Sequence, residues 1–151
     1  MPGNRPKDIV SYNMSRIRSE GSKIEKVLEN ILEAVSFDFV KQPKMFGKPD
    51  FAYPELRIAI FADSDFWHGF NWQEKKSEIK TNKEFWARKI ERNVERDKEV
   101  TRRLEDEGWQ VIRLWGHDLS RQPNKCQAII EEAVSNAKRK LEAIQLGKGS
   151  E

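Results

Sequence analysis

Two acids, two aromatic rings and a histidine crowd into Asp63-Ser64-Asp65-Phe66-Trp67-His68-Gly69, directly after the apolar run that ends at Ala62. A buried strand ordinarily gives way to turn residues, so Phe-Trp-His at this point is hard to ascribe to packing. Upstream, Asp50 follows Gly47-Lys48-Pro49 and opens a short apolar segment. If segments 50–53 and 57–62 form a hairpin, antiparallel pairing brings Asp50 and Asp63 to the same end of the sheet. Paired carboxylates beside a histidine suit a hard, oxygen-preferring divalent ion such as Mg²⁺, and they leave the imidazole for proton transfer. Asp97 is the third acid of interest. Trp86, Ile90, Asn93, Val94, Asp97 and Leu104 fall near one face of a helix, where a carboxylate is costly unless it is paired or faces a site. Plainer readings stand beside these. Asp50 suits turn chemistry, His68 a structural histidine, Asp97 a surface edge, and Glu25 the capping-box partner of Ser22.

Basic and aromatic residues supply a second theme. Residues 1–23 carry Arg5, Lys7, Arg16, Arg18 and Lys23 against Asp8 and Glu20. Residues 75–92 carry Lys75, Lys76, Lys80, Lys83, Arg88, Lys89 and Arg92 against Glu78, Glu84 and Glu91. Two basic stretches in a chain whose net charge is only +3 suit a face that tracks phosphates, although a solvated surface has the same composition. Phe66, Trp67, Trp72, Phe85 and Trp86 lie among or beside these charges, the usual equipment for stacking on bases or wedging between them.

The elements that must position these groups follow from periodicity. Residues 1–20 read as an extended or loosely helical basic arm that contacts DNA. Ile24, Val27, Leu28, Ile31, Leu32 and Val35 predict a helix over 22–35, capped by Ser22 with Glu25. Strands are expected at 37–42, 50–53 and 57–62, followed by a long loop to residue 82 with little structure of its own. A second helix spans 83–107 and stops at Gly108, a strand covers 109–115, and a last helix starts near Pro123. Trp109 and Trp115 are expected in the core, and residues 147–151 as a frayed tail. The order α-β-β-β-α-β-α, in 151 residues, predicts one α/β domain over 21–146 with a mixed central sheet flanked by helices. No run approaches the ~18 apolar residues of a membrane span, which implies an intracellular, cytoplasmic protein. The lone Cys126 offers neither a disulfide framework nor a zinc cluster and reads as a buried small hydrophobe.

With these residues in hand, the chain resembles the very-short-patch repair (Vsr) endonucleases, part of the wider PD-(D/E)xK nuclease superfamily. The resemblance runs from about Tyr12 to Leu119. It rests on Asn13-Met14 with Arg16-Ile17, Ile24-Glu25, Lys48-Pro49-Asp50-Phe51 and Asp63 with Phe66-Trp67-His68-Gly69. Further on come Glu84-Phe85-Trp86 with Lys89-Ile90, Asn93-Val94-Glu95-Arg96-Asp97, and Gly108-Trp109 with Val111. It implies a restriction-endonuclease-like fold and nicking of double-stranded DNA 5′ to the thymine of a T:G mismatch, in repair of deaminated 5-methylcytosine. On that likeness Asp50 holds Mg²⁺ together with Asp63 and a backbone carbonyl near Ala62. His68 is the general base, Asp97 orients it, and Glu25 acts through the water shell of the metal. Met14, Phe66 and Trp67 wedge into the duplex, Lys89 and Asn93 read the mismatched pair, and Arg16 and Trp86 join the DNA surface.

The chain also departs from the family. Vsr enzymes carry a structural zinc on cysteines in and after the Phe-Trp-His segment and beyond the last strand. Here those places hold Asp65, Phe70 and His117. Structural zinc is therefore expected to be absent, with Phe70 and Trp72 filling its place. The chelating lysine of the superfamily would fall near Asp65, so His68 serves instead. Besides mismatch nicking, two other functions fit the residues: a homing or restriction-associated nuclease with the same core, and a catalytically silent DNA-binding module.

Overall fold

The computed structural model describes residues 5–79 and 82–149, with the side chains of 15–77, 79 and 82–147. The helix predicted to begin at Ser22 begins much earlier. Helix α1 spans Arg5–Ala34 without a break at Gly21 or Ser22, so no capping box forms and the expected arm is a helical extension. Pro6 lies in its first turn, where a missing N–H breaks no helical bond. The ~1 kcal/mol that a mid-helix glycine costs relative to alanine is too small to end a helix of good formers on both sides. Ile24, Leu28, Ile31 and Leu32 do line one buried face.

Four strands form one mixed sheet in the order β1-β2-β3-β4. Strand β1 covers only Val40–Lys41, shorter than the expected 37–42, because Gln42 turns into the left-handed region at φ 48° and Phe37 and Phe39 fold onto the core. Strands β2 (Phe51–Tyr53) and β3 (Ile58–Asp63) make the anticipated antiparallel hairpin, with Phe51 opposite Ile60. Strand β4 (Gln110–Trp115) joins β3 in parallel, pairing Phe61 with Arg113 and Asp63 with Trp115.

Alternation along the strands sorts side chains between two faces. Ile58 and Ile60 of β3, with Ile112 and Leu114 of β4, pack against α1 and the C-terminal helices in the main core. Ala59 and Phe61 face the other way, onto Val100 and Leu104 of α3 (Lys83–Asp106). Each such buried aliphatic side chain contributes about 1.5–3 kcal/mol relative to exposure. Asp63, two residues beyond Phe61, therefore emerges on the α3 side, and so does Arg113.

The loop after β3 has more structure than expected: α2 (Trp72–Lys75), entered through Asn71 at φ 53°, then a 3₁₀ turn over Lys76–Glu78. Helix α4 (Gly116–Arg121) was not foreseen; it precedes α5 (Pro123–Gly149) with only Gln122 between them. Trp109 and Trp115 are half-buried rather than core, whereas Trp72 is buried. Cys126 is buried in the main core, as a small hydrophobe would be. No described helix is long and apolar enough to cross a membrane.

Candidate active site and nucleic-acid face

Two glycines let the site loops lie against α3. A Cβ on Gly47 (φ +82°) would come within 2.5 Å of Val100 Cγ1, and one on Gly69 (φ +74°) within 2.7 Å of Val94 Cγ2. Both positions also need the left-handed backbone that glycine adopts without strain. The loop carrying Asp50 and the loop carrying His68 are thus held to the same helix, which brings Asp97.

Asp50 sits at the entry to β2. Its amide donates to the Ile60 carbonyl at 3.1 Å, and its carboxylate Oδ2 accepts the Ala62 N–H at 2.7 Å. Burial pushes its pKa up to about 7; the Ala62 N–H opposes this, and the nearby Glu25 and Asp63 carboxylates reinforce it. Glu25 thus meets Asp50 instead of a helix cap. Crowded, poorly solvated carboxylates of this kind fit a divalent cation, which would offset the charge that burial leaves uncompensated.

The second half of the site is a charge network between β3, α3 and β4. His68 Nδ1 lies 2.5 Å from Asp97 Oδ2 and 3.6 Å from Asp63 Oδ1. With both acids on Nδ1, the consistent neutral tautomer donates Nδ1–H to Asp97 and leaves Nε2 unprotonated, without a protein partner among the described residues. Burial pulls the His68 pKa down, but the Asp97 hydrogen bond and the charges of Asp63 and Asp97 outweigh it and leave it above the ordinary imidazole value. Burial likewise raises Asp63, against the opposing charges of His68 and Arg113. Asp63, His68 and Asp97 each offer a ligand atom, all within 4.8 Å of one another. Two of those acids are already paired, however, and Asp50 is the carboxylate with the larger unmet demand.

Arg113 was missed by sequence reasoning. Its Nη1 lies 3.1 and 3.3 Å from the two Asp63 oxygens, and Nη2 donates to the Asp97 carbonyl at 3.2 Å. The signal was available, since a charge in Val-Ile-Arg-Leu-Trp within a buried strand raises the same question as Asp97 on its helix.

Asp65, Phe70 and His117, the positions at which the family's zinc ligands are expected to be missing, come together with different chemistry. His117 Nδ1 lies 3.1 Å from Asp65 Oδ1, which also accepts the His117 amide at 3.3 Å. The Phe70 ring packs on the imidazole at 4.2 Å and on Trp115 at 5.1 Å. A closed structural zinc needs four nitrogen or sulfur ligands as a rule, and Asp65, Phe70 and His117 do not make that donor set. Phe70 packs among these groups, whereas Trp72 packs with Ala87 and Ile90 and donates its indole N–H to Glu91.

Along the N-terminal half of α3 lies the aromatic and basic face. Phe66, Trp67 and Trp86 touch one another with ring centroids 5.0–6.1 Å apart, and Lys89 Nζ lies 4.7 Å from Trp67 and 5.8 Å from Trp86. Asn93 donates to the Trp67 carbonyl at 3.3 Å, so its amide nitrogen already braces this loop. Phe85 is 60% exposed beside a groove lined by Arg88, Arg92 and Arg96. None of these three arginines has an ion pair among the described residues, whereas Arg16 pairs with Glu20 on exposed α1. The Met14 side chain lies outside the described residues.

The family profile described as DNA mismatch endonuclease Vsr matches residues 6–74. A type II nicking enzyme of Neisseria meningitidis serogroup C is 43% identical over 122 residues, covering 80% of this chain and 82% of its own. One from Haemophilus parainfluenzae is 40% identical over 118 residues, covering 78% and 84%. The DNA mismatch endonuclease Vsr of Escherichia coli strain K12 is 38% identical over 106 residues, covering 70% and 67%.

Proposed function

The chain belongs to the Vsr DNA mismatch endonuclease family and is a DNA endonuclease, and from that premise we propose that it uses Mg²⁺ to nick one strand of a duplex at a T:G mismatch. The observation that carries this reading is the Asp97–His68 pair, whose outer nitrogen has no partner among the described residues and whose inner one lies beside the buried Asp63. In the proposed reaction His68 Nε2 takes a proton from the attacking water as that oxygen bonds to phosphorus. Asp97 holds the ring and stabilises the imidazolium that forms, and one bridging P–O bond breaks. When bound, Mg²⁺ supplies charge neutralisation of the pentacovalent phosphorane and its leaving oxygen. Asp50 is the proposed anchor for it, with the Ala62 carbonyl and with Glu25 acting through water. Phe66 and Trp67 wedge beside the mismatch, with Trp86 packed against them, Lys89 and Asn93 read the mismatched pair, and Arg16 joins the DNA surface.

A second reading rests on the relatives, two of which are described as type II nicking enzymes. Under it the same core cuts one strand without requiring a mismatch. Labelled duplexes, matched or carrying one T:G pair, incubated with Mg²⁺ or with EDTA, separate the two. Mg²⁺-dependent cutting confined to one strand of the mismatched duplex is the expected result. Equal cutting of matched DNA moves the assignment to the second reading. Binding without cutting, unchanged in Asp50→Ala, removes both.

A further inference from the structure

We infer that Arg113 is a positioning residue of the catalytic site, whose guanidinium fixes Asp63 and the Asp97 turn of α3 on either side of His68 and keeps Asp63 from serving as a metal ligand. The inference rests on the reading of Asp97–His68 as the general-base pair. Its geometry goes beyond an ordinary ion pair. Nη1 reaches both Asp63 oxygens at 3.1 and 3.3 Å and lies 3.8 Å from Asp97 Oδ1. Nη2 donates to the Asp97 backbone carbonyl at 3.2 Å, and Nε donates to Thr101 Oγ1 at 2.8 Å, one helical turn on. The guanidinium lies over the Phe61 ring at 4.0 Å, so its plane is set from below as well. A planar fork of donors holds β3 and α3 in one fixed geometry, whereas the donors of an ammonium on a flexible stem are not pre-organised.

Packing alone does not require this arrangement. Val100 and Leu104 already seat α3 on Ala59 and Phe61 through apolar contact. What Arg113 adds is a fixed distance between a carboxylate on β3 and a carboxylate on α3, the two groups that share His68 Nδ1. The same contacts occupy both oxygens of Asp63, whose side chain is only 6% exposed. Asp50 uses Oδ2 on the Ala62 amide and has no basic partner among the described residues. The cation is thereby directed to Asp50, and Asp63 is left to brace the imidazole.

Wild type, Arg113→Lys, Arg113→Met, Asp63→Asn and the double variant Arg113→Met/Asp63→Asn are compared for nicking kinetics. The same proteins are titrated with Mn²⁺, and their two histidines are examined by ¹⁵N NMR. Arg113→Met is expected to lower kcat about 10–100-fold with KM for DNA within about threefold. Arg113→Lys should recover part of that loss. Asp63→Asn should bind Mn²⁺ within about threefold of wild type, and the double variant should be no worse than Arg113→Met alone. His68, held as the Nδ1–H tautomer in wild type, should become a tautomer mixture in Arg113→Met. An unchanged kcat in Arg113→Met overturns the inference. So does a raised KM at constant kcat, which makes Arg113 a DNA contact, and so does loss of Mn²⁺ binding in Asp63→Asn. If Arg113→Met does not fold, Arg113→Lys and the double variant, which leaves no unpaired buried charge, decide the matter. If wild type nicks no duplex, the nuclease reading fails, and the histidine spectra with Mn²⁺ titration still test Arg113.

Discussion

Two aspartate–histidine pairs stand at the ends of neighbouring parallel strands, and they have different surroundings. His68 with Asp97 and His117 with Asp65 each place Nδ1 against a carboxylate, and the two imidazoles are 26% and 27% exposed. Around His68 are a second acid and Arg113, and no group of the described chain takes Nε2. Around His117 are aromatic faces, Phe70 at 4.2 Å and Trp115 stacked at 6.4 Å, and Nε2 lies 3.5 Å from Asp118. The same two side chains therefore form the proposed base in one place and a packing element in the other. What separates them is whether the second nitrogen is left available, a property of the neighbours.

The largest expected difference between the two histidines lies at the proposed catalytic pair. His68→Ala or Asp97→Asn should lower kcat by about 10²–10⁴-fold, while His117→Ala changes it less than about threefold. Single-turnover nicking of one mismatched duplex measures both, and equal losses at the two histidines would erase the distinction.

The next largest effect is in pH. A general base with a raised pKa works only once deprotonated, so kcat/KM should rise up to about tenfold per unit up to an apparent pKa above 6.5. Asp50, pushed up to about 7 without metal, should make Mg²⁺ affinity rise with pH through the same range. Stability runs the other way for His68. Its folded pKa is raised, so its contribution is complete below about pH 6.5 and is lost as pH climbs through the folded value. Denaturant midpoints in metal-free buffer should show this fall in wild type and a smaller one in His68→Ala.

A smaller effect sharpens the picture of the binding face. Arg88→Gln, Arg92→Gln and Arg96→Gln should each lower the slope of log affinity against log salt by about 1, provided each meets a phosphate. Slopes equal to wild type would show that the stripe faces solvent. The smallest effect falls on the packing pair: Asp65→Asn should cost about 1 kcal/mol of stability by thermal melting and leave kcat within about twofold.

Much of this was legible in the residues. The apolar run before Asp63 and the Gly-Lys-Pro turn before Asp50 predicted the hairpin that brings these acids to one end of the sheet. Gly108, at φ 93°, ends the α3 region as expected. The misses have different causes, local for the start of α1 and dependent on contacts distant in sequence for Arg113. Gly21 and Ser22 look like a helix start, yet nothing local is strong enough to stop a helix already running from Arg5. Trp109 and Trp115 look like core because they are large, but their alternation puts them on the α3 side, where the sheet is partly open. Arg113 has no role that local pattern assigns, because only the parallel register sets it opposite Phe61 and near Asp63.

That register also has a consequence in time. Asp63 and Arg113 are 50 residues apart, joined by a crossover through α3. At about 5–20 residues per second, a ribosome takes a few seconds to travel from one to the other. Until it does, the growing chain carries the buried Asp63 without the Arg113 guanidinium that compensates it. The half-made protein is thus poorly stabilised around Asp63 until β4 has been made.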